Sequence, residues 1–412
     1  MILGTIFYLS IPVIILLFDF LSRFLIGKVF SYKNISCVQI GKKQLSKDAL
    51  HKIIAFGFCV LFLTCVCAFR STYVGSDTRS YFDFYEETKG YTFQKALQPN
   101  ANLEPGFVFY NYIFASIKTP YYLFAFITYI IIFVSVVWCC FVFSKYPTIS
   151  VCLYVCFTFF VLNLSTIRQS LAFAFCLYAL LIFYLTKKHY FLKLLAFIPI
   201  AIALTIHVSS LAFMIVFILY FIKIKSKNAF LIYFLSLFTF VLFFPAISSI
   251  IFQIFTNPSK VYSFYPPSSS NTSISGTLVL LVISALGFMV CNVFSLKADL
   301  SLSKTKINND SKFSYFIAPL FNDKDIDSQI SFSLIIFQIV FILLDNTIFL
   351  LSRVATYGSL GFCILIPNWI HSASKEKPNN LFLFLIVLIG MLYFFYAVLR
   401  INYLTILPYG AF

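Results

Sequence analysis

The sequence predicts an all-α integral membrane protein with about twelve transmembrane helices. Of its 412 residues, 61% are hydrophobic and 11% are charged, whereas a soluble domain carries roughly 25% charge. The apolar residues form blocks of about 17–25, the length that crosses a hydrocarbon core of ~30 Å. Backbone groups in hydrocarbon must hydrogen-bond internally, so long blocks without two-residue alternation are helices. We therefore expect residues 1–412 to form a single integral membrane domain.

The predicted helices follow one another with mostly short connections. They cover residues 2–21, 50–69, 120–143, 148–164, 168–186, 191–206, 208–222, 229–255, 274–296, 330–351, 354–370 and 381–399. The first has no basic start and no small-residue cleavage site, which indicates a membrane helix rather than a removable signal peptide. Four connections are longer: the 22–49 loop, 70–119, in which Tyr81–Lys95 is expected to lie on the membrane surface, the flexible 256–273 loop, and the polar 297–329 loop.

The charges in the loops predict the orientation. When the loops are numbered alternately, the set that begins with 22–49 and includes 297–329 holds 21 of the 30 Lys and Arg residues. Basic residues collect on the cytoplasmic side of membrane proteins. This set is therefore cytoplasmic, and both termini face outside together with the 70–119 and 256–273 loops. The same distribution accounts for the net charge of +16 and argues against nucleic-acid binding.

Arginine and lysine are distributed differently between the two predicted faces. Twenty of the 24 lysines fall on the cytoplasmic side, whereas five of the six arginines fall outside. The five outer arginines are Arg70, Arg79, Arg168, Arg353 and Arg400. A guanidinium is a planar fork of donors that matches phosphate or carboxylate. The outer arginines therefore predict an anion site, with lipid phosphates as the alternative ligand.

Other polar residues on the predicted outer face have both a functional and a structural interpretation. Asp77 and His207 are candidates for a general base, although a single histidine at a turn is often structural. Glu104 precedes Pro105, so it either serves a site or caps a helix N-terminus. Asp345 lies eight residues before Arg353 on one helical face, and we expect it to brace the helices as an ion pair.

Six short motifs follow one another on this face. They are Gly75-Ser76-Asp77-Thr78 with Tyr81, Glu104-Pro105-Gly106-Phe107, Arg168-Gln169-Ser170-Leu171-Ala172, His207-Val208-Ser209-Ser210, Ser352-Arg353-Val354-Ala355-Thr356-Tyr357, and Leu407-Pro408-Tyr409. In this order they resemble the EpsG-like group of polysaccharide polymerases, which is related to the Wzy-type O-antigen and capsule polymerases. The resemblance spans roughly residues 70–410 and implies an architecture like that of GT-C-like membrane glycosyltransferases. The 297–329 loop is longer than the family pattern leads us to expect.

The resemblance implies a polymerase of the bacterial cytoplasmic (inner) membrane, acting on its periplasmic or outer face. Its partners would be the bilayer, an undecaprenyl-pyrophosphate-linked oligosaccharide and a chain-length regulator protein, with no cofactor and no metal. The candidate catalytic residues are Arg168, Arg353, His207 and Asp77. The candidate substrate-binding residues are Glu104, Arg400, Arg79, Gln169 and Tyr357.

Two other functions remain open from the sequence. A flippase or transporter would also need polar groups near the midplane and toward the cytoplasm, where Asp345 stands nearly alone. An O-antigen ligase would use the same arginines with a different acceptor. The sequence contains no phosphate-binding glycine loop, which argues against an ATP-driven pump.

Overall fold

The computed structural model describes most of the chain and is almost entirely helical. It describes residues 2–32, 37–40, 43–98, 103–186, 191–221, 326–344, 351–373 and 380–398, with Asn402 and Ile406. Outside the described residues lie the predicted spans 229–255 and 274–296, the loop 256–273, residues 297–325 of the loop 297–329, Asp345, Arg400 and the motif at 407–409. Residues 326–329, the predicted end of that loop, instead begin the helix Ile326–Leu344.

Most helices within the described ranges fall close to the predicted blocks, but three short helices lie in the predicted 70–119 loop, and the first helix continues past residue 21 into the predicted 22–49 loop. They are α1 (Ile2–Tyr32), α2 (Lys47–Ala68), α3 (Thr78–Thr88), α4 (Phe93–Leu97), α5 (Pro105–Ser116), α6 (Tyr121–Phe143), α7 (Pro147–Cys156), α8 (Phe159–Ser165), α9 (Ile167–Leu185), α10 (Phe197–Ile206), α11 (Met214–Phe221), α12 (Ile326–Leu344), α13 (Leu351–Ala355), α14 (Leu360–Ala373) and α15 (Asn380–Tyr396). Short 3-10 helices cover Phe191–Ala196, Val208–Phe213 and Thr356–Gly358. A small antiparallel hairpin, β1 (Cys37–Ile40) with β2 (Lys43–Ser46), lies in the predicted 22–49 loop.

Four described helices are long and apolar enough to cross a membrane, which confirms the predicted class of protein. They are Ile6–Lys28, Lys47–Ala68, Tyr121–Phe143 and Ile167–Leu185. The pair α7 and α8 makes a fifth span if its 61° bend is counted as one broken helix. Four shorter apolar stretches are Phe191–Ile206, Val208–Phe221, Ile330–Ile342 and Leu381–Tyr396. The predicted total of twelve and the placement of both termini outside stay predictions.

The chain divides into two compact units. Residues 1–211 with 381–412 form unit 1, and residues 212–380 form unit 2. In unit 1, α6 packs between α2 and α9, and the rings of Tyr129 and Phe133 on α6 are fully buried. In unit 2, α12 packs against α11, α13 and α14.

Polar contacts define two opposite ends of the bundle in unit 1. Helix α2 has 22 residues, so its two ends are about 33 Å apart. At its start, His51 Nε2 lies 3.0 Å from Asp19 Oδ1 of α1. Just beyond its other end, Arg70 donates to the carbonyl oxygen of Leu164 in α8. Residues 70–119 and the α8–α9 connection therefore share one end of unit 1.

Candidate functional site

The side chain of Glu104 joins three elements at this end of unit 1. Its Oε2 lies 2.7 Å from Nη1 of Arg168, in the first turn of α9. Its Oε1 lies 2.9 Å from Nδ1 of His207, which ends α10. The backbone N–H of Val208 donates to the same Oε1 at 3.2 Å. We call Glu104, Arg168 and His207 the Glu104 cluster.

The local sequence explains why α5 and α10 approach closely enough for these contacts. Pro105 begins α5, where its fixed φ suits a first helical position, and Glu104 immediately precedes it. A Cβ added to Gly106 would lie 2.6 Å from the carbonyl oxygen of Thr205 in α10. Any larger residue would push the helices apart. The glycine of the Glu104-Pro105-Gly106-Phe107 motif thus allows Glu104 to reach His207.

The position of Arg168 is unfavourable by itself and is compensated by Glu104. The N-terminus of a helix carries a partial positive charge, which disfavours a cation in the first turn. The Arg168 and Glu104 side chains are each 20% exposed, so their mutual attraction is only partly screened by solvent. The ion pair with Glu104 therefore accounts for how Arg168 is accommodated at the start of α9.

The Glu104 carboxyl is ionised at neutral pH. Burial by itself would raise its pKa, but the hydrogen bond from His207 and the charge of Arg168 outweigh burial and lower the pKa from 4.5 to about 2. An ionised carboxylate can only accept hydrogen bonds. His207 must therefore donate through Nδ1, and in the neutral ring Nε2 carries the lone pair. This arrangement fits a base that is oriented by a carboxylate.

A second group of contacts, centred on Arg70, fastens the first outer loop near Arg168. Arg70 is 4% exposed, and it donates to the carbonyl oxygens of Cys67, Val74 and Leu164. Its guanidinium also lies 5.2 Å from the centre of the Tyr129 ring. We call Arg70 with these three carbonyls the Arg70 clasp. It connects the end of α2, the start of the outer loop and the end of α8.

The Gly75-Ser76-Asp77-Thr78 motif packs directly on the connection between α8 and α9. Gly75 has a positive φ of 97°, and a Cβ at that position would lie 2.7 Å from the carbonyl oxygen of Leu164. The N–H of Ser76 donates to Ser165 Oγ at 3.1 Å. The Thr78 hydroxyl lies within hydrogen-bonding distance of the carbonyl oxygens of Val74, at 2.8 Å, and Leu164, at 2.9 Å. The motif is thus anchored three residues before Arg168.

Asp77 and Arg79, two further predicted site residues of the 70–119 loop, lie on the surface at the same end of unit 1. Asp77 is partly exposed, and its Oδ1 accepts the Ser76 hydroxyl at 2.9 Å. Arg79 Nε pairs with Asp83 at 3.1 Å, and both side chains are at least half exposed. The described contacts therefore join Glu104, Arg168 and His207 to one another, whereas Asp77 and Arg79 make local contacts.

The remaining predicted site residues are divided between the two units. Gln169 is buried in α9 next to Arg168. Arg353 is exposed on α13 of unit 2. Tyr357 is fully buried in the same unit, with its ring centre 6.3 Å from that of Phe213. The roles of Arg353, Tyr357 and Arg400 stay predictions.

Sequence reasoning missed a polar group at the opposite end of unit 1. Asp19 Oδ1 accepts from Thr148 Oγ1 at 2.7 Å as well as contacting His51. Arg23 pairs with the other carboxylate oxygen at 2.9 Å, and Ser22 Oγ lies 3.1 Å from His51 Nδ1. A single acidic residue inside the first apolar block was the available signal. Arg23 lies one helical turn from Asp19, but His51 and Thr148 are 32 and 129 residues away, so the sequence does not disclose the group as a whole.

The helices and the Glu104 cluster define a polytopic membrane protein with an organised ionic site at one end of unit 1. The chain belongs to the EpsG family, and the sequence model of that family matches residues 53–410. That range includes the Arg70 clasp and all three residues of the Glu104 cluster. Neither the curated proteins nor the solved structures include a match to the chain.

Proposed function

We propose that this protein is a polysaccharide polymerase of the bacterial cytoplasmic membrane. It would join undecaprenyl-pyrophosphate-linked oligosaccharide repeat units at the outer face, making an O-antigen, capsule or exopolysaccharide. The observation that carries the proposal is that Arg168 and His207 both contact the Glu104 carboxylate. The three residues come from three separate motifs. Membership of the EpsG family supports the same class of reaction.

The proposed reaction transfers the growing glycan from its pyrophosphate lipid to a hydroxyl of an incoming lipid-linked unit. The acceptor oxygen bonds to the anomeric carbon of the donor as the bond from that carbon to the pyrophosphate oxygen breaks. The bonding electron pair leaves with the pyrophosphate, and the hydroxyl proton goes to Nε2 of His207. Glu104 holds His207 in the tautomer that accepts this proton.

Negative charge develops on the pyrophosphate as it leaves. A fixed guanidinium in a site of low polarity stabilises such charge strongly. Arg168 is the candidate for this role in unit 1, because Glu104 fixes its orientation at 2.7 Å. Arg353 and Arg400 are proposed to assist it, with Gln169 nearby in α9.

The test compares surface polysaccharide from wild-type, deletion and complemented strains on gels. A polymerase deletion leaves single repeats in place of the ladder, and Glu104→Gln or Arg168→Ala fails to restore it although the protein reaches the membrane. Normal ladders in both variants would refute the proposed site. Polymer retained on its lipid carrier would instead indicate a ligase, and lipid-linked single repeats trapped on the inner leaflet would indicate a flippase.

A further inference from the structure

An exposed tyrosine in the 70–119 loop has a cation beside its ring. Tyr73 is 77% exposed, and the Arg79 guanidinium lies 5.6 Å from the centre of its ring. Arg79 also pairs with Asp83, with Nε 3.1 Å from Oδ1. One face of the tyrosine is thus backed by a cation, and much of the ring remains open to solvent.

Tyr73, Arg79 and Asp83 lie at the same end of unit 1 as the Glu104 cluster. Tyr73 lies between Arg70 and Val74, which the Arg70 clasp ties to Leu164. Ser76 is hydrogen-bonded to Ser165, whose Cα is at most about 11 Å from that of Arg168 along the chain. From α3, the Tyr81 ring packs 5.7 Å from that of Phe107, three residues after Glu104. An extended substrate at the Glu104 cluster would therefore reach the neighbourhood of Tyr73.

The charge of the segment around Tyr73 favours a neutral ligand over an anion. Residues 71–89 contain four acidic residues, Asp77, Asp83, Glu86 and Glu87, and two basic residues, Arg79 and Lys89. The segment therefore carries a net charge of −2. Both basic residues are paired with acids, Arg79 with Asp83 and Lys89 with Glu86 at 2.7 Å. A phosphate would be repelled here, whereas a neutral hydroxylated ligand would not.

A sugar ring has the chemistry that this group can bind. The face of an aromatic ring is negative and attracts the weakly positive C–H bonds on one side of a pyranose. The edge of the sugar presents hydroxyls, for which a carboxylate and a guanidinium supply acceptors and donors. Hydrocarbon offers no such partners, and an ion pair beside the ring is costly to place in lipid.

We propose that Tyr73, Arg79 and Asp83 form a sugar subsite that holds a ring of the lipid-linked glycan beside the reacting bond. The inference rests on the proposed function for the identity of the glycan. It assigns Arg79 to carbohydrate rather than to the pyrophosphate. Tyr73 supplies the stacking face, and the Arg79–Asp83 pair supplies the hydrogen bonds.

The first measurement is turnover by purified protein in vesicles. The substrate is the lipid-linked single repeat extracted from the deletion strain, and initial rates are measured against its concentration. Tyr73→Leu keeps an apolar side chain but loses the flat face, so we expect KM to rise about threefold to tenfold while kcat changes less than about twofold. Tyr73→Phe keeps the ring, and its KM should lie between the KM of wild type and the KM of Tyr73→Leu. An unchanged KM in Tyr73→Leu would overturn the subsite.

A matched control separates sugar binding from membrane anchoring. Phe93 on α4 is also an exposed aromatic residue, at 55%, but its neighbours are the rings of Phe109 and Tyr112. Phe93→Leu should leave KM at the wild-type value. Equal losses in the Phe93 and Tyr73 variants, with less protein in the membrane, would show that exposed rings anchor the loop and would refute the subsite.

A second measurement keeps this inference distinct from the proposed function. Mild acid releases the repeat-unit oligosaccharide from its lipid, and its binding is followed by saturation-transfer NMR. One outcome is that the wild-type protein binds the oligosaccharide, Tyr73→Leu does not, and the wild-type protein shows no turnover. This outcome would support the subsite and refute the polymerase. Turnover abolished by Glu104→Gln, together with oligosaccharide binding that is unchanged in Tyr73→Leu, would refute the subsite alone.

Discussion

At the scale of single residues, the proposed function assigns each member of the Glu104 cluster a different task. Glu104 is ionised and accepts from two side chains and one backbone N–H, so it orients its partners and is a poor base. His207 is then the better candidate for the base than Asp77, whose described contact is the Ser76 hydroxyl. Sequence reasoning selected Glu104, Arg168 and His207, but it could not pair them because contacts over 64 and 103 residues depend on helix packing.

Replacing the charge of Glu104 should stop turnover while the helices remain folded. In Glu104→Gln the amide no longer requires His207 to donate through Nδ1, and Arg168 loses its counter-charge. We expect the polymerisation rate to fall about 10²–10⁴-fold, the range of a lost general base. The rate is measured in membrane vesicles with equal amounts of protein.

Glu86→Gln is the matched control for that prediction, because it makes the same chemical change on the surface of α3. Glu86 pairs with Lys89 at a distance of three residues, with the two side chains 40% and 36% exposed, and such surface pairs contribute little. Its rate should stay near the wild-type value. A wild-type rate in Glu104→Gln would instead show that the cluster is structural.

The stability that Glu104 contributes should depend on pH in a defined window. Its pKa is about 2 in the folded protein against 4.5 for an ordinary glutamate. A lowered folded pKa stabilises the protein fully above the unfolded pKa, and this contribution disappears as pH falls through the folded value. In detergent, the unfolding temperature of wild type should therefore be higher than that of Glu104→Gln. The difference should be constant above about pH 5 and should shrink toward pH 2. A difference that does not change with pH would contradict the ionic contacts.

At the scale of elements, long helices were predictable and breaks were not. The apolar blocks of α2, α6 and α9 exceed the length of a span, so the sequence alone indicated them. The predicted span 148–164 is instead bent by 61° between α7 and α8, where Thr158 has a positive φ of 66°. Threonine carries no breaker signal, unlike glycine or proline. The Arg70 clasp was missed for a similar reason, because an arginine after an apolar helix usually marks only the membrane boundary.

Removing the Arg70 clasp should loosen the first outer loop. Arg70→Met removes the guanidinium from three buried carbonyl oxygens. The Thr78 hydroxyl can still donate to one of two of them, that of Val74 or that of Leu164, and each buried group left unpaired costs about 1–3 kcal/mol. We expect residues 74–78 to exchange amide hydrogens faster and the unfolding temperature in detergent to fall. Arg79→Met is the control for stability, because its surface pair contributes less than about 1 kcal/mol. Equal protection of residues 74–78 in wild type and Arg70→Met would disprove the clasp.

At the scale of the whole molecule, the sequence predicted the membrane class and the family, and both are confirmed. The two ends of unit 1 are now distinguished by their contacts, with Asp19 and His51 at one end and Glu104 and Arg168 at the other. The number of spans could not be settled from described helices, because several are shorter than a span. Which end faces outside also remains a prediction from the loop charges.

Labelling of single cysteines tests this orientation. Ser80 on α3 and Asp48 in the first turn of α2 are both exposed and belong to opposite ends of unit 1. In spheroplasts, a maleimide that cannot cross membranes should label Ser80→Cys at once and Asp48→Cys only after permeabilisation. The wild-type chain is the background control, because it has eleven cysteines of its own, and Cys65 is exposed among the nine whose side-chain burial the structure describes. The reverse pattern would invert the proposed topology.

The separation of the three cluster residues along the chain has a consequence for biogenesis. Glu104 is synthesised first, Arg168 follows 64 residues later, and His207 comes 103 residues after Glu104. A nascent chain that has inserted α9 but not α10 therefore holds an arginine–glutamate pair that lacks its histidine. Helix α10 must insert and turn before the carboxylate acquires all its donors. The cluster is thus completed only after α10 has inserted, about halfway along the 412-residue chain, and a chain that stops before this point lacks the histidine of the proposed site.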